Sequence, residues 1–191
     1  MNSGTGQGPT RRVALLRGIN LGGNRTIPMA GLRDLAGRLG WTDVATHLQS
    51  GNLLFTAAAG DEEAAAQLVR AVRGEFGIDV DVVIRTGAQL RALLDAHPYA
   101  DGDPSRVVVA CADGPVGELA ARRLNELASG RERVQVADTG TDVYAHFPEG
   151  QAASKLAAGL LAALRPVTGT ARNLRTLTRI VELLDAGASG R

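Results

Sequence analysis

Apolar positions along this chain alternate between short continuous runs, which strands bury, and a three-and-four spacing, which helices bury. Residues 12–16 are a short aliphatic run read as a strand. Pro28 followed by Leu32, Leu35, Ala36 and Leu39 predicts an amphipathic helix, opened by the proline at its first position and closed at Gly40. Residues 44–49 and 53–56 read as strands around Ser50-Gly51-Asn52, a small polar stretch suited to a tight hairpin turn. Asp61 is placed to cap a helix burying Leu68, Val69, Val72 and Phe76 up to Gly77, and residues 80–84 form a further strand. A connecting helix over 88–96 and a turn-rich linker follow.

The same order then repeats. Strand 106–110, a helix over about 115–128 carrying Leu119, Leu124 and Leu127, strands 133–136 and 142–147, a helix with Leu156, Leu160, Leu161 and Leu164, and a weaker strand at 167–171 give a second β-α-β-β-α-β series. A last helix over 174–185 presents Leu177, Ile180, Val181 and Leu184 on one face, with Asn173 as its cap. The expected fold is α+β: two ferredoxin-like repeats with antiparallel sheets, a linking helix and a C-terminal helix. The expected divisions are a tail at 1–11, halves at 12–84 and 105–172 joined by 85–104, the last helix at 173–186, and a tail at 187–191. Arg12-Val13-Ala14-Leu15 parallels Arg106-Val107-Val108-Val109, and Leu53-Leu54-Phe55 parallels Ala145-His146-Phe147.

This topology gives separated polar residues a common address. In a split β-α-β the third strand lies between the first two, so the end of the first strand at Arg17 and the 50–52 turn share one edge of the sheet. Arg17, Gly18, Asn20, Gly22, Gly23, Asn24, Arg25, Ser50 and Asn52 gather there as donors and cations without a carboxylate. Such a set suits phosphate, carboxylate or a nucleic-acid backbone. The corresponding edge of the second half, Cys111-Ala112-Asp113 with Asp138-Thr139-Gly140, is acidic.

Composition narrows the field. A net charge of +1 gives no global attraction to nucleic acid or acidic membrane, so anion recognition has to be local. One cysteine and three scattered histidines leave no disulfide framework and no tetrahedral metal set; no cofactor is expected and a cytoplasmic setting fits. No apolar run reaches membrane-spanning length, and the oligomeric state is left open.

The stretches LLRGINLGGNRTIPM, LQSGNLLF and TARNLRT resemble the bacterial family known as domain of unknown function 1697, over 12 to about 184. The resemblance implies two ferredoxin-like repeats and says little of activity. It singles out Arg17, Gly18, Asn20, Gly22, Gly23, Pro28, Met29, Ser50, Gly51, Asn52, Arg172, Asn173 and Thr176. Where the family's first loop usually carries a lysine, this chain has Asn24-Arg25; where its pattern has two threonines, this chain has Thr170-Ala171.

Gly18 and Gly23 have Walker-loop spacing, but Asn24-Arg25 replace the lysine and hydroxyl that hold phosphate and magnesium, which argues against nucleotide hydrolysis. Ser50 lacks a nucleophile elbow. Asn52 is read as a residue tolerating a left-handed turn, and Arg172 as a cation at a helix start that needs a local anion or another reason, a structural carboxylate being one alternative. The expectation is a protein binding an anionic small molecule or a nucleic-acid backbone, with Arg172, Asn173 and Thr176 as candidate additions to the loop site. The alternatives are a cofactor-independent enzyme using the same donors as an oxyanion site, and a structural or assembly protein in which these residues only lock loops.

Overall fold

Aliphatic runs become strands and three-four periodic segments become helices throughout the computed structural model, which describes residues 10–20 and 26–188. The first half runs β1 (Arg11–Arg17), α1 (Met29–Arg38), β2 (Thr42–His47), β3 (Asn52–Thr56), α2 (Asp61–Phe76) and β4 (Asp81–Thr86). After α3 (Gly87–Asp95) come β5 (Val107–Ala112), α4 (Glu118–Leu127), β6 (Arg133–Val136), β7 (Asp142–His146), α5 (Lys155–Ala163), β8 (Gly169–Asn173) and α6 (Leu174–Ala188). The strands form two four-stranded sheets ordered β2-β3-β1-β4 and β6-β7-β5-β8, with every neighbouring pair antiparallel. Each half is therefore the β-α-β-β-α-β unit that the sequence predicts.

Burial explains why β1 is apolar at every inner position. Ala14 and Leu16 face Leu32, Leu68 and Val72 of α1 and α2, whereas Val13 and Leu15 face the second sheet. A strand covered on both sides has no solvated face to alternate with. The inter-sheet layer brings Val13, Leu15 and Leu54 together with Val107, Val109 and Tyr144. Leu90 and Leu93 of α3 and Leu177, Ile180 and Leu184 of α6 fill it from the sides. Burying each such side chain stabilises by about 1.5–3 kcal/mol, so this shared layer holds the halves as one body. The outer face of the second sheet packs on α4 and α5 through Leu124, Leu156 and Leu160.

Several local expectations are corrected. β1 begins at Arg11, inside the stretch assigned to the tail, and α6 runs to Ala188. Pro28 is the extended residue before α1 and not its first helical residue. Gly60 precedes α2, so Asp61 sits in the first turn, where its carboxylate meets Arg12 at 2.7 Å and does not cap. Leu119 lies in the first turn of α4 and is 61% exposed, while Ala120 and Leu124 face inward. The true correspondence of the halves also differs by two residues from the parallels seen in sequence. Leu15 pairs with Asn52 and Cys111 pairs with Asp142, so Leu15 matches Cys111 and Asn52 matches Asp142. A shift of two preserves which face a strand residue occupies, so the hydrophobic pattern could not expose it.

Candidate functional site

β8 pairs with β5 so that Arg172 stands opposite Val109, on the face turned toward the first half. From there its guanidinium crosses between the sheets and ends in the first half's hairpin. Nε donates to Asn52 Oδ1 at 2.6 Å, and one terminal nitrogen donates to the carbonyls of Leu16 at 2.7 Å, Ser50 at 2.8 Å and Gly51 at 3.3 Å. The other donates to Thr170 Oγ1 at 2.9 Å and the Ala171 carbonyl at 2.8 Å. All these acceptors are neutral, and no carboxylate among the described residues pairs with Arg172. Burial pulls its pKa from 12.5 to about 10, so the group stays cationic at neutral pH.

The turn that receives it is built for that approach. Gly51 has φ +80°, and a Cβ there would lie 2.7 Å from Ile19 Cδ1. Only glycine combines that backbone with that closeness. Asn52 is not a turn residue: it opens β3, is fully buried, and donates through Nδ2 to the His47 carbonyl at 2.7 Å and Ser50 Oγ at 3.2 Å. The asparagine that does take the left-handed conformation is Asn20, at φ 56°. Its amide accepts from Ile27 N–H at 2.8 Å and donates to the carbonyls of Gln49 at 2.8 Å and Ile27 at 3.0 Å, tying both ends of the loop to the hairpin.

The expected convergence of Arg17, Gly18, Asn20, Ser50 and Asn52 on one sheet edge is present, and Arg172 joins it. Two parts of the expectation change. The edge does contain a carboxylate: antiparallel pairing sets Asp81 opposite Arg17, with the charged atoms 3.3 Å apart and the arginine side chain 34% exposed. Arg172 belongs to a strand and not to a helix start; its reason for being there is the hairpin. Asn173 turns away and caps α6, accepting from Thr176 N–H at 2.9 Å. Gly22, Gly23, Asn24 and Arg25 lie outside the described residues.

A second clasp escaped the sequence. Arg85 on β4 donates to Asp142 Oδ1 at 2.9 Å, the Ala112 carbonyl at 2.7 Å and the Ile84 carbonyl at 2.9 Å. Both side chains are nearly enclosed, and the other carboxylate oxygen accepts from Thr139 Oγ1 at 2.9 Å and Thr141 Oγ1 at 3.0 Å. Arg85 stands opposite Val13 as Arg172 stands opposite Val109, so the two clasps are the same construction in the two halves. A usable signal was present: Ile84-Arg85-Thr86 and Ala171-Arg172-Asn173 each end a strand with an arginine followed by a helix cap.

Cys111 lies in the inter-sheet core, and burial together with Asp142 pushes its thiol up to about 12, which leaves it protonated and unreactive. No three metal-ligating side chains gather among the described residues. Nor is any described helix long and apolar enough to cross a membrane.

Beside the hairpin runs a groove of about 560 Å³ between the β2 end and α6, lined by His47, Leu48, Pro104, Thr176 and Arg179 among others. Burial and the charge of Arg179 lower the His47 pKa from its ordinary value, which favours the neutral imidazole.

The sequence matches no protein of curated function. Among solved structures, the conserved bacterial protein SP0830 from Streptococcus pneumoniae superposes with a TM-score of 0.74 at 22% identity, over 93% of this chain and 99% of that one, a likeness of fold. The family described as "Protein of unknown function (DUF1697)" matches residues 10–144, which takes in the β1 end and the QSGN hairpin just described. The chain belongs to that family.

Proposed function

We propose that the chain binds an anionic ligand, phosphorylated or carboxylated, at the edge formed by the β1 end and the 48–51 turn. The observation that carries this reading is the uncompensated charge of Arg172. A buried guanidinium satisfied only by neutral acceptors leaves a positive potential at its site, and a low-dielectric surround weakens that potential less than water would. Arg17 stands at the same edge with a third of its side chain open to solvent, and its pair with Asp81 is long enough to exchange for a bidentate anion. Arg172, Asn52 and Asn20 are fully engaged, so they shape and charge the edge while Arg17 and the Gly18 backbone face the ligand.

A second reading has its own observation. Four of the six hydrogen bonds from Arg172 cross to the first half, to Asn52, Leu16, Ser50 and Gly51, so the motif residues also act as a lock whether or not a ligand binds. Calorimetric titration with inorganic phosphate, pyrophosphate and a short single-stranded RNA separates the two. Saturable binding that weakens about tenfold in Arg17→Lys, with unchanged unfolding, supports the anion site, because an ammonium cannot reproduce the planar fork. Absence of saturable binding to all three leaves only the lock.

A further inference from the structure

We propose that the groove between the 48–51 turn and α6 takes the apolar body of the same ligand, making that ligand a small organic phosphate or carboxylate and not an inorganic ion or a bare nucleic-acid backbone. The inference rests on the anion reading above. Its starting point is Leu48. This residue sits at φ 60° and is 54% exposed. The other positive-φ residues around this edge are Gly18, Asn20 and Gly51, types that accept the left-handed region at little cost. Leucine does not, and a side chain this exposed adds little to the core in return. What Leu48 does is wall the groove.

The groove and the charged edge share one turn. His47 and Leu48 line the groove, while the carbonyls of His47, Gln49, Ser50 and Gly51 are held by Asn52, Asn20 and Arg172. The turn is thus a wall of the groove on one side and part of the anion edge on the other, so a ligand held at that edge has the groove as its neighbouring concavity. The size, about 560 Å³, falls in the range of small-molecule sites. The groove's own charges are already paired: Arg175 and Arg179 stand on its side with exposed acidic partners, Asp103 at 3.6 Å and Glu182 at 2.6 Å, which leaves the concavity to an uncharged body. The neutral form of His47 presents an uncharged ring to that body.

Calorimetry with 1-naphthyl phosphate and inorganic phosphate on the full chain tests this. Naphthyl phosphate should bind at least tenfold more tightly than inorganic phosphate. Leu48→Asn should erase that advantage, leave inorganic phosphate within twofold, and keep or raise the melting temperature, since asparagine suits φ 60°. Arg17→Lys should weaken both probes. Equal affinity of the two probes, or an advantage that survives Leu48→Asn, overturns the groove while leaving the anion site standing. No saturable binding of inorganic phosphate overturns the anion site and, with it, the assignment of the groove to that ligand.

Discussion

Arg85 and Arg172 are the same device built twice. Each leaves the edge strand of its own half, binds the carbonyl of its preceding residue, and reaches the carbonyl at the end of the other half's first strand, Ala112 or Leu16. Each also bonds the residue that opens the other half's third strand, and here the two part: Asp142 in one, Asn52 in the other. One clasp encloses a neutral ion pair with two threonine hydroxyls completing the carboxylate. The other encloses a net positive charge and completes it with main-chain carbonyls. A purely structural lock gains nothing from that exchange, since a buried cation costs more without its counter-ion than with it. The difference therefore teaches where to look for chemistry: at the end that keeps its charge.

The largest expected effect comes from breaking the neutral clasp. Asp142→Ala leaves Arg85 enclosed without its carboxylate and Thr139 and Thr141 without their acceptor, and should cost about 3–5 kcal/mol in urea unfolding. A loss below about 1 kcal/mol would mean water enters this clasp freely and the two ends are less alike than their bonds imply.

Arg172→Ala should cost somewhat less, about 3 kcal/mol, because it strands neutral oxygens and removes a charge that was itself costly to bury. Arg172→Lys should recover only part, as an ammonium cannot serve both the Leu16 and Asn52 oxygens and the Thr170 side in one plane. If Arg172→Ala proves the more damaging of the two, the uncompensated charge is not the burden described here.

Much of this fold was legible because β1 is a continuous apolar run and α6 carries a clear three-and-four spacing, and the ferredoxin-like order alone brought Arg17 to the 50–52 turn. What stayed hidden shares one cause. Asp81, Arg85 and Asp142 act across strands or between sheets, and periodicity along one strand says which face a residue occupies but not what meets it from the other half. Arg172 was noticed as a cation in need of an explanation, yet its partners are carbonyls, which no side-chain pattern announces. Leu48 was hidden differently: an apolar residue continuing a strand pattern gives no hint of a left-handed backbone.

Asn52→Asp converts the charged clasp into a copy of the neutral one. The new carboxylate would sit where Asn52 Oδ1 lies, 2.6 Å from Arg172 Nε, while the donors to His47 and Ser50 are lost. Gain and loss nearly offset, so unfolding should move by no more than about 1 kcal/mol. Phosphate affinity should fall about tenfold, or about 1.4 kcal/mol, because the edge loses its net charge. Unchanged phosphate affinity in a folded Asn52→Asp protein would detach ligand binding from the asymmetry altogether.

The smallest effect concerns the residues that follow the two arginines. Thr86 and Asn173 occupy matching places, and each caps the next helix by accepting from the N–H three residues on, Gln89 at 3.2 Å and Thr176 at 2.9 Å. Thr86 is reciprocated, since its own N–H donates to Gln89 Oε1 at 2.8 Å. Replacing either residue with alanine should lower stability by about 1 kcal/mol, with Thr86 at least the equal of Asn173, because its hydroxyl both accepts from Gln89 N–H and donates to Gln89 Oε1 at 3.2 Å, and both bonds go with it. Phosphate titration decides whether Asn173 does anything more. A capping residue leaves the affinity of the Asn173→Ala protein unchanged once it is folded, just as Thr86→Ala does at the end that lacks the charge. If Asn173→Ala instead loses phosphate with its unfolding curve intact, its side chain serves the ligand edge, and the two halves differ at the cap as well as at the clasp.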